Sequence, residues 1–246
     1  MRICILGSSH APNIFREAAH MKGIETVDID EMPELVMASE DSPVADDGKR
    51  DLTRITEITA YALNMTDDQD CPVVLTSQVT PGFTREFETA RLYHMAETLR
   101  TKDAAERALN PEQLIIGCED PSETLPQVLL NYLQAFKCPI HQVTWEEAEF
   151  SKIAINMRLA RMVESTNELA EACKRIPGCK WSRIADILRH DKRIGPQSYL
   201  EPGDWRKSKN ILRDATTLSK LVPEAISRVA GRITIPTYRW GGTRLG

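Results

Sequence analysis

The sequence predicts an α/β protein, a mostly parallel sheet covered on both faces and followed by a set of helices. Two observations carry that prediction. Short apolar runs at residues 3–6, 34–38, 73–77, 114–117 and 140–144 alternate with stretches of helical length and pattern, the grammar of a parallel sheet with crossover helices. Residues 146–175 (EEAEFSKIAINMRLARMVESTNELAEACKR) then run on without Gly or Pro. Ala, Leu, Met, Glu, Lys and Arg dominate there, which favours one long helix.

The first strand, residues 3–6, enters the turn Gly7-Ser8-Ser9-His10-Ala11-Pro12, and a helix follows over 13–22 with Pro12 near its first turn. A strand, turn and helix in this order present free N–H groups and a positive dipole end, the usual phosphate cradle. The dinucleotide fingerprint G-x-G-x-x-G reads here Gly7, Ser9, Pro12, so only the first glycine survives. An ordinary strand–helix turn accounts for the segment as well. Asp28 and Asp30 fall where a ribose-binding acid is expected. The run at 34–38 follows too soon, because a parallel neighbour needs a crossover of a dozen residues or more. Either residues 24–30 are not a parallel sheet strand or the sheet is rewired here, and each option weakens a cofactor role for the acids.

Residues 39–49 read as a polar turn, 51–64 as a helix, 73–77 as a buried strand and 79–82 as a turn. A helix is expected over 83–99, a strand at 114–117, a helix over 124–136 and a closing strand at 140–144 that leads into the long helix. On that helix Glu149, Lys152 and Asn156 stand at i, i+3 and i+7 and share one face. The stripe addresses a polar ligand, or it is a solvated ion pair worth a few tenths of a kcal/mol. Further helices are expected at 181–190, 211–220 and 223–228, with an irregular tail over 233–246. The basic cluster Arg206, Lys207 and Lys209 reads as a surface loop or a phosphate-holding group. Trp205 beside it stacks on a base or packs.

The chain of 246 residues is 27% charged and 41% hydrophobic with a net charge of −5, an ordinary globular composition. No basic run points to nucleic acid or an anionic membrane, and no apolar run approaches membrane-spanning length. The start MRICILGSSH reads as a buried strand and not a signal peptide. Six scattered cysteines without a CxxC pair read as reduced thiols in a cytoplasmic protein with no metal site.

Several spaced segments together resemble one family. VVLTSQVTPGFTRE (73–86), NPEQLIIGCEDP (110–121), TWEEAEFSKIAINMRLARMVESTNELA (144–170), DKRIGPQSYLEPG (191–203) and LRDATTL (212–218) are similar to the UDP-glucose/GDP-mannose dehydrogenase family. The match is good over about residues 70–220 and poor over 1–50. The resemblance implies a shortened Rossmann-like domain over 1–145 and a helical central domain over 146–230, of the 6-phosphogluconate-dehydrogenase type. That central domain forms a homodimer through the 146–175 helix; an irregular tail follows over 231–246. It implies NAD as cofactor, a nucleotide sugar as substrate, and two oxidations of the sugar 6-hydroxyl through a thiohemiacetal on a cysteine. The implied catalytic residues are Lys152, Asn156, Asp214 and Glu97, with Asn210 at the cysteine's position. Substrate falls to Arg193, Glu97 and Lys152, and cofactor to Gly7, Ser8, Ser9, Asp28, Asp30, Ser77 and Gln78.

The departures are specific. The cysteine's Gly-rich segment reads Asp204-Trp205-Arg206-Lys207-Ser208-Lys209-Asn210. A carboxamide is no nucleophile at neutral pH, so the thiohemiacetal route is closed. Gln78 replaces the family's threonine. Roughly two strand units of the nucleotide domain are missing, and the C-terminal UDP-binding domain is expected to be absent. Three readings follow: an NAD-linked enzyme limited to one hydride transfer, a nucleotide or sugar-nucleotide sensor, and a dimeric scaffold or partner subunit.

Overall fold

The computed structural model describes residues 1–44, 50–96, 99 and 103–222. Its sheet has seven strands: β1 (Arg2–Leu6), β2 (Glu25–Thr26), β3 (Leu35–Ala38), β4 (Val73–Leu75), β5 (Leu92–Met95), β6 (Leu114–Cys118) and β7 (Ile140–Thr144). They stand in the order β2-β1-β3-β4-β5-β6-β7. All pairs are parallel except β5 with β6. Successive side chains alternate between faces. On one face Ile3, Ile5, Leu35 and Met37 pack with Phe15 and Ala19 of α1 (His10–Met21) and with Leu129 and Leu133 of α4 (Gln127–Gln134). On the other, Cys4, Val36, Ala38, Val73 and Leu75 pack with Ile55, Ile58 and Ala62 of α2 (Thr53–Met65).

The sheet is rewired at the point where residue spacing requires it. β2 pairs only at Arg2↔Glu25 and Ile3↔Thr26, and β3 lies on β1's other side with Ile3↔Leu35. Both neighbours therefore meet β1 at the same height. The link needs only to cross two strand spacings, about 10 Å, without travelling back along a strand. It does so through a tight turn at Ile29–Glu31. The doubly wound order places a further strand outside the second; here β2 is the edge.

One expected helix is absent. Instead of a helix over 83–99, a short 3-10 turn at Thr84–Phe87 ends at Glu88 in the left-handed region (φ 51°) and β5 follows. Helix α3 (Ala104–Leu109) was not anticipated. The expected helix at 223–228 and the tail lie outside the described residues.

β7 runs directly into α5 (Trp145–Lys174). Thr144 Oγ1 accepts from the Glu147 N–H at 3.3 Å, and Glu147 Oε2 accepts from the Thr144 N–H at 2.9 Å, a reciprocal cap that sets the start of the helix. α5 docks closely on β6 because Gly117 has no side chain: a Cβ there would sit 2.7 Å from Ala148 Cβ and 2.9 Å from Trp145 Cα. The Trp145 indole N–H donates to the Leu92 carbonyl at 2.8 Å, tying the helix to β5. Farther along, Ala160 and Val163 pack with Trp205, and α6 (Trp181–His190) and α7 (Lys209–Leu221) complete the helical part.

The cysteine reading needs one correction. Cys173 and Cys179 are joined as a disulfide, with Cα atoms 5.6 Å apart, because the turn after α5 folds the chain back within bonding reach. Cys4, Cys71, Cys118 and Cys138 are free.

Candidate functional site

The polar stripe on α5 is inward-facing: Glu149, Lys152 and Asn156 are all buried. Glu149 is committed to the fold. Its carboxylate accepts from the Gly82 N–H at 2.5 Å and the Thr84 N–H at 2.8 Å, holding the turn after β4. Burial raises its pKa above the ordinary carboxylate value, and the hydrogen bonds from Thr84 and Gly82 act the other way.

Asn156 meets Asp214 of α7, its Nδ2 donating to Oδ2 at 2.6 Å. Asp214 is fully buried, and its other oxygen is ion-paired with Arg50, whose side chain is 2% exposed. Arg50 also donates to the Gln78 carbonyl at 3.3 Å. Arg213 donates to the Gln78 side-chain carbonyl and to the Ser42 carbonyl. Burial and the neighbouring Arg213 charge lower the Arg50 pKa, while Asp214 opposes both. Asp214, Asn156, Arg50, Arg213 and Gln78 thus form one network that joins α5 and α7 to the loops after β3 and β4. Both oxygens of this fully buried carboxylate are thus engaged by other side chains. Asn210 stands nearby with Ser77, Gln78 and Arg213 on the wall of a polar cleft of about 80 Å³, which holds a few waters.

The glycine turn is equally occupied. Gly7 adopts φ +123°, and a Cβ on it would lie 1.7 Å from the Ser39 carbonyl oxygen. The Glu40 carboxylate accepts from the Ser8 N–H at 3.0 Å and the Ser8 hydroxyl at 3.1 Å. Ser9 Oγ accepts from the Asp41 N–H at 3.0 Å. Ser77 is spent here too, its hydroxyl accepting from Glu40 N–H at 2.8 Å and donating to the Glu40 carbonyl at 2.7 Å. Burial alone acts to raise the Glu40 pKa, but hydrogen bonds from Ser9, Ser8 and Asp41 outweigh it and hold the carboxyl at about 2. As arranged, this turn does not fit the pyrophosphate of NAD.

Asp28 and Asp30 line a cavity of about 660 Å³ beside the half of β1 that β2 leaves unpaired, with Gly7, Arg16, Tyr61 and Met65. Arg16 donates to the Ile5 carbonyl at 2.6 Å and the Gly7 carbonyl at 3.1 Å, covering that open edge. Of the residues assigned to cofactor, Gly7, Asp28 and Asp30 thus share this cavity, while Ser77 and Gln78 line the polar cleft. Arg193 is 88% exposed and paired with Asp191 at 2.6 Å, away from the Asp214 network. Glu97 lies outside the described residues. Trp205 packs, its indole N–H donating to Glu164 at 3.1 Å, and Arg206 pairs with Asp204 on the surface. Among the described residues no group of His, Cys, Asp and Glu is placed to hold a metal ion. Sequence reading missed Glu40 and Arg50. Glu40 sits in the stretch that reads as a polar turn and Arg50 directly after it, and neither was singled out.

A parallel sheet with a glycine turn at its first strand, continued by a long helix carrying buried Lys and Asn, defines a nucleotide-fold protein with a helical second part. Residues 146–227 match the model of the UDP-glucose/GDP-mannose dehydrogenase family, central domain. A UDP-glucose 6-dehydrogenase of Streptococcus pneumoniae is 27% identical over 164 residues, 58% of this chain and 41% of that protein. One from Rickettsia conorii is 29% identical over 168 residues, 63% of this chain and 37% of that protein. The chain therefore spans about two-fifths of the curated relatives it matches. Among solved structures, a UDP-glucose dehydrogenase from Pyrobaculum islandicum superposes with a TM-score of 0.68 at 18% identity, covering 93% of this chain and 65% of that one. A GDP-mannose dehydrogenase from Pseudomonas aeruginosa gives 0.63 at 18% identity, covering 82% and 60%. Residues 146–227 thus belong to this family's central domain, and the solved structures share the fold of the chain.

Proposed function

We propose that this chain is a non-oxidising member of its family that works as a dimeric partner subunit. The observation that carries the reading is Asp214: fully buried, and consumed by Arg50 and Asn156. A group in that state ties elements together and does not exchange protons with a substrate. Asn210 at the position of the family's cysteine supports the same conclusion, since it supplies no thiolate. The dimer is supported by the apolar side chains that the helical part leaves outside: Leu169 and Ile176 at the end of α5, Ile187 on α6 and Leu212 on α7 are all exposed, a pattern that marks interaction surfaces when residues cluster.

Light scattering on the eluting protein tests the dimer. The wild type is predicted to run at twice its 27.7 kDa chain mass, and Leu169→Arg to shift it toward the monomer. A monomeric wild type contradicts the reading. A second reading, a nucleotide or sugar-nucleotide sensor, is favoured by the 660 Å³ cavity with its Asp28 and Asp30 carboxylates, which suit sugar hydroxyls. Thermal shift with a series of nucleosides and UDP-glucose tests it, and no stabilisation by any of them removes it. Both readings keep the cytoplasmic setting expected from the sequence, which cell fractionation checks.

A further inference from the structure

The N-terminus of α1 is the place where an α/β sheet of this kind offers its positive dipole end and unpaired N–H groups to an anion. In this chain the turn leading into that end already holds an anion, on Ser8. Three consecutive residues at the end of β3 cover three consecutive residues of the turn. The Ser39 carbonyl fills the space that Gly7 leaves open. The Glu40 carboxylate accepts from the N–H and hydroxyl of Ser8, and the Asp41 N–H donates to the hydroxyl oxygen of Ser9. Pro12, in the first turn of α1, has no N–H to give and further thins the set of donors.

We propose that Glu40 is an internal occupant of this anion cradle, and that it excludes a dinucleotide pyrophosphate from the α1 N-terminus. Three facts make the occupant a fixed one. Glu40 is buried, 8% exposed. Its backbone is clamped on both sides by the Ser77 hydroxyl, so the carboxylate is not free to swing out with a loop. Asp41, beside it, adds a second carboxylate to the same cleft. An incoming polyanion must displace one negative group and then sit against both, where like charges disfavour each other most strongly. Arg213 on the cleft wall is engaged with Gln78 and Ser42, and Arg16, at the turn, is engaged with the Ile5 and Gly7 carbonyls. The exclusion is therefore one of charge and of donors already taken at Ser8 and Ser9, since Gly7 itself borders the 660 Å³ cavity.

Calorimetric titration of the full chain with NAD, and separately with inorganic pyrophosphate, tests the proposal on the wild type, Glu40→Ser and Glu40→Gln. The wild type is expected to give no saturable heat with either ligand. Glu40→Ser, which empties the cradle, is expected to bind NAD at least about tenfold more tightly than the wild type. Glu40→Gln, which removes only the charge, is expected to show a smaller gain in the same direction. Saturable micromolar binding of NAD by the wild type overturns the proposal, as does the absence of any gain in a variant that retains the wild-type cooperative melt. Glu40→Gln is close to isosteric and decides the matter if Glu40→Ser does not fold. NAD binding by the wild type without turnover would overturn the role of Glu40 and leave the non-oxidising reading standing, so the two are separable.

Discussion

Removing the Asp214 carboxylate would leave Arg50, with a side chain only 2% exposed, as a buried cation beside Arg213. Breaking a buried pair from one side costs about 3–5 kcal/mol. Asp214→Ala is therefore predicted to lower the denaturation free energy by that order, read from urea melts, and a loss under about 1 kcal/mol would contradict the buried network. His94 sets a pH dependence. It is 2% exposed in β5, its Nδ1 has no hydrogen-bond partner, and burial pushes its pKa down to about 3 from 6.5. The unfolded chain takes up the proton first as pH falls through 6.5. His94 thus contributes full stability above that pH, and the contribution declines progressively toward pH 3 with a slope of up to about 1.4 kcal/mol per unit. His94→Leu is predicted to flatten the melting profile between pH 6.5 and 4.5; an unchanged slope would show that His94 is not the titrating group. At this scale the sequence was only partly legible. Lys152, Asn156 and Asp214 carry motif spacing that survives in the chain, whereas Glu40 and Arg50 act through contacts across β3 and α7 that no local pattern announces.

The element that decides the architecture is α5. Its N-terminal half lies on β6 through the gap at Gly117, and its C-terminal half carries the helical part. Gly117→Ala places a methyl 2.7 Å from Ala148 Cβ and is predicted to cost about 1–3 kcal/mol by overpacking. A neutral outcome in thermal and urea melts would mean that the helix and sheet shift apart freely. The long helix is readable from composition, as are five strands from their apolar runs. β5 was not. Residues 83–99 are rich in Arg, Glu, Ala and Leu and favour helix locally, yet Leu92–Met95 are wholly buried between β4 and β6. Tertiary pairing overrides the local preference, and only the left-handed turn at Glu88 separates the two outcomes. Chain reach alone left two options for this edge, no parallel strand or a rewired sheet, because a link of a few residues cannot return along a strand; the structure takes the second.

At the scale of the whole molecule, family and activity separate. The long helix and the order of motifs match the family, while the proposal is that the parts that would do chemistry hold the fold instead. Asp214 and Asn156 tie two helices, Glu149 holds a turn, Ser77 clamps Glu40, and Glu40 fills the glycine turn. Those conversions are invisible in a motif, since the residue type is kept and only its partner changes. They are visible in distances. The measurement that tests this most directly is the formation of reduced nicotinamide by the purified protein with NAD and UDP-glucose, alongside Lys152→Ala. No signal above the variant's background is predicted. Sustained turnover that Lys152→Ala abolishes would show that the family's chemistry is intact and contradict the account.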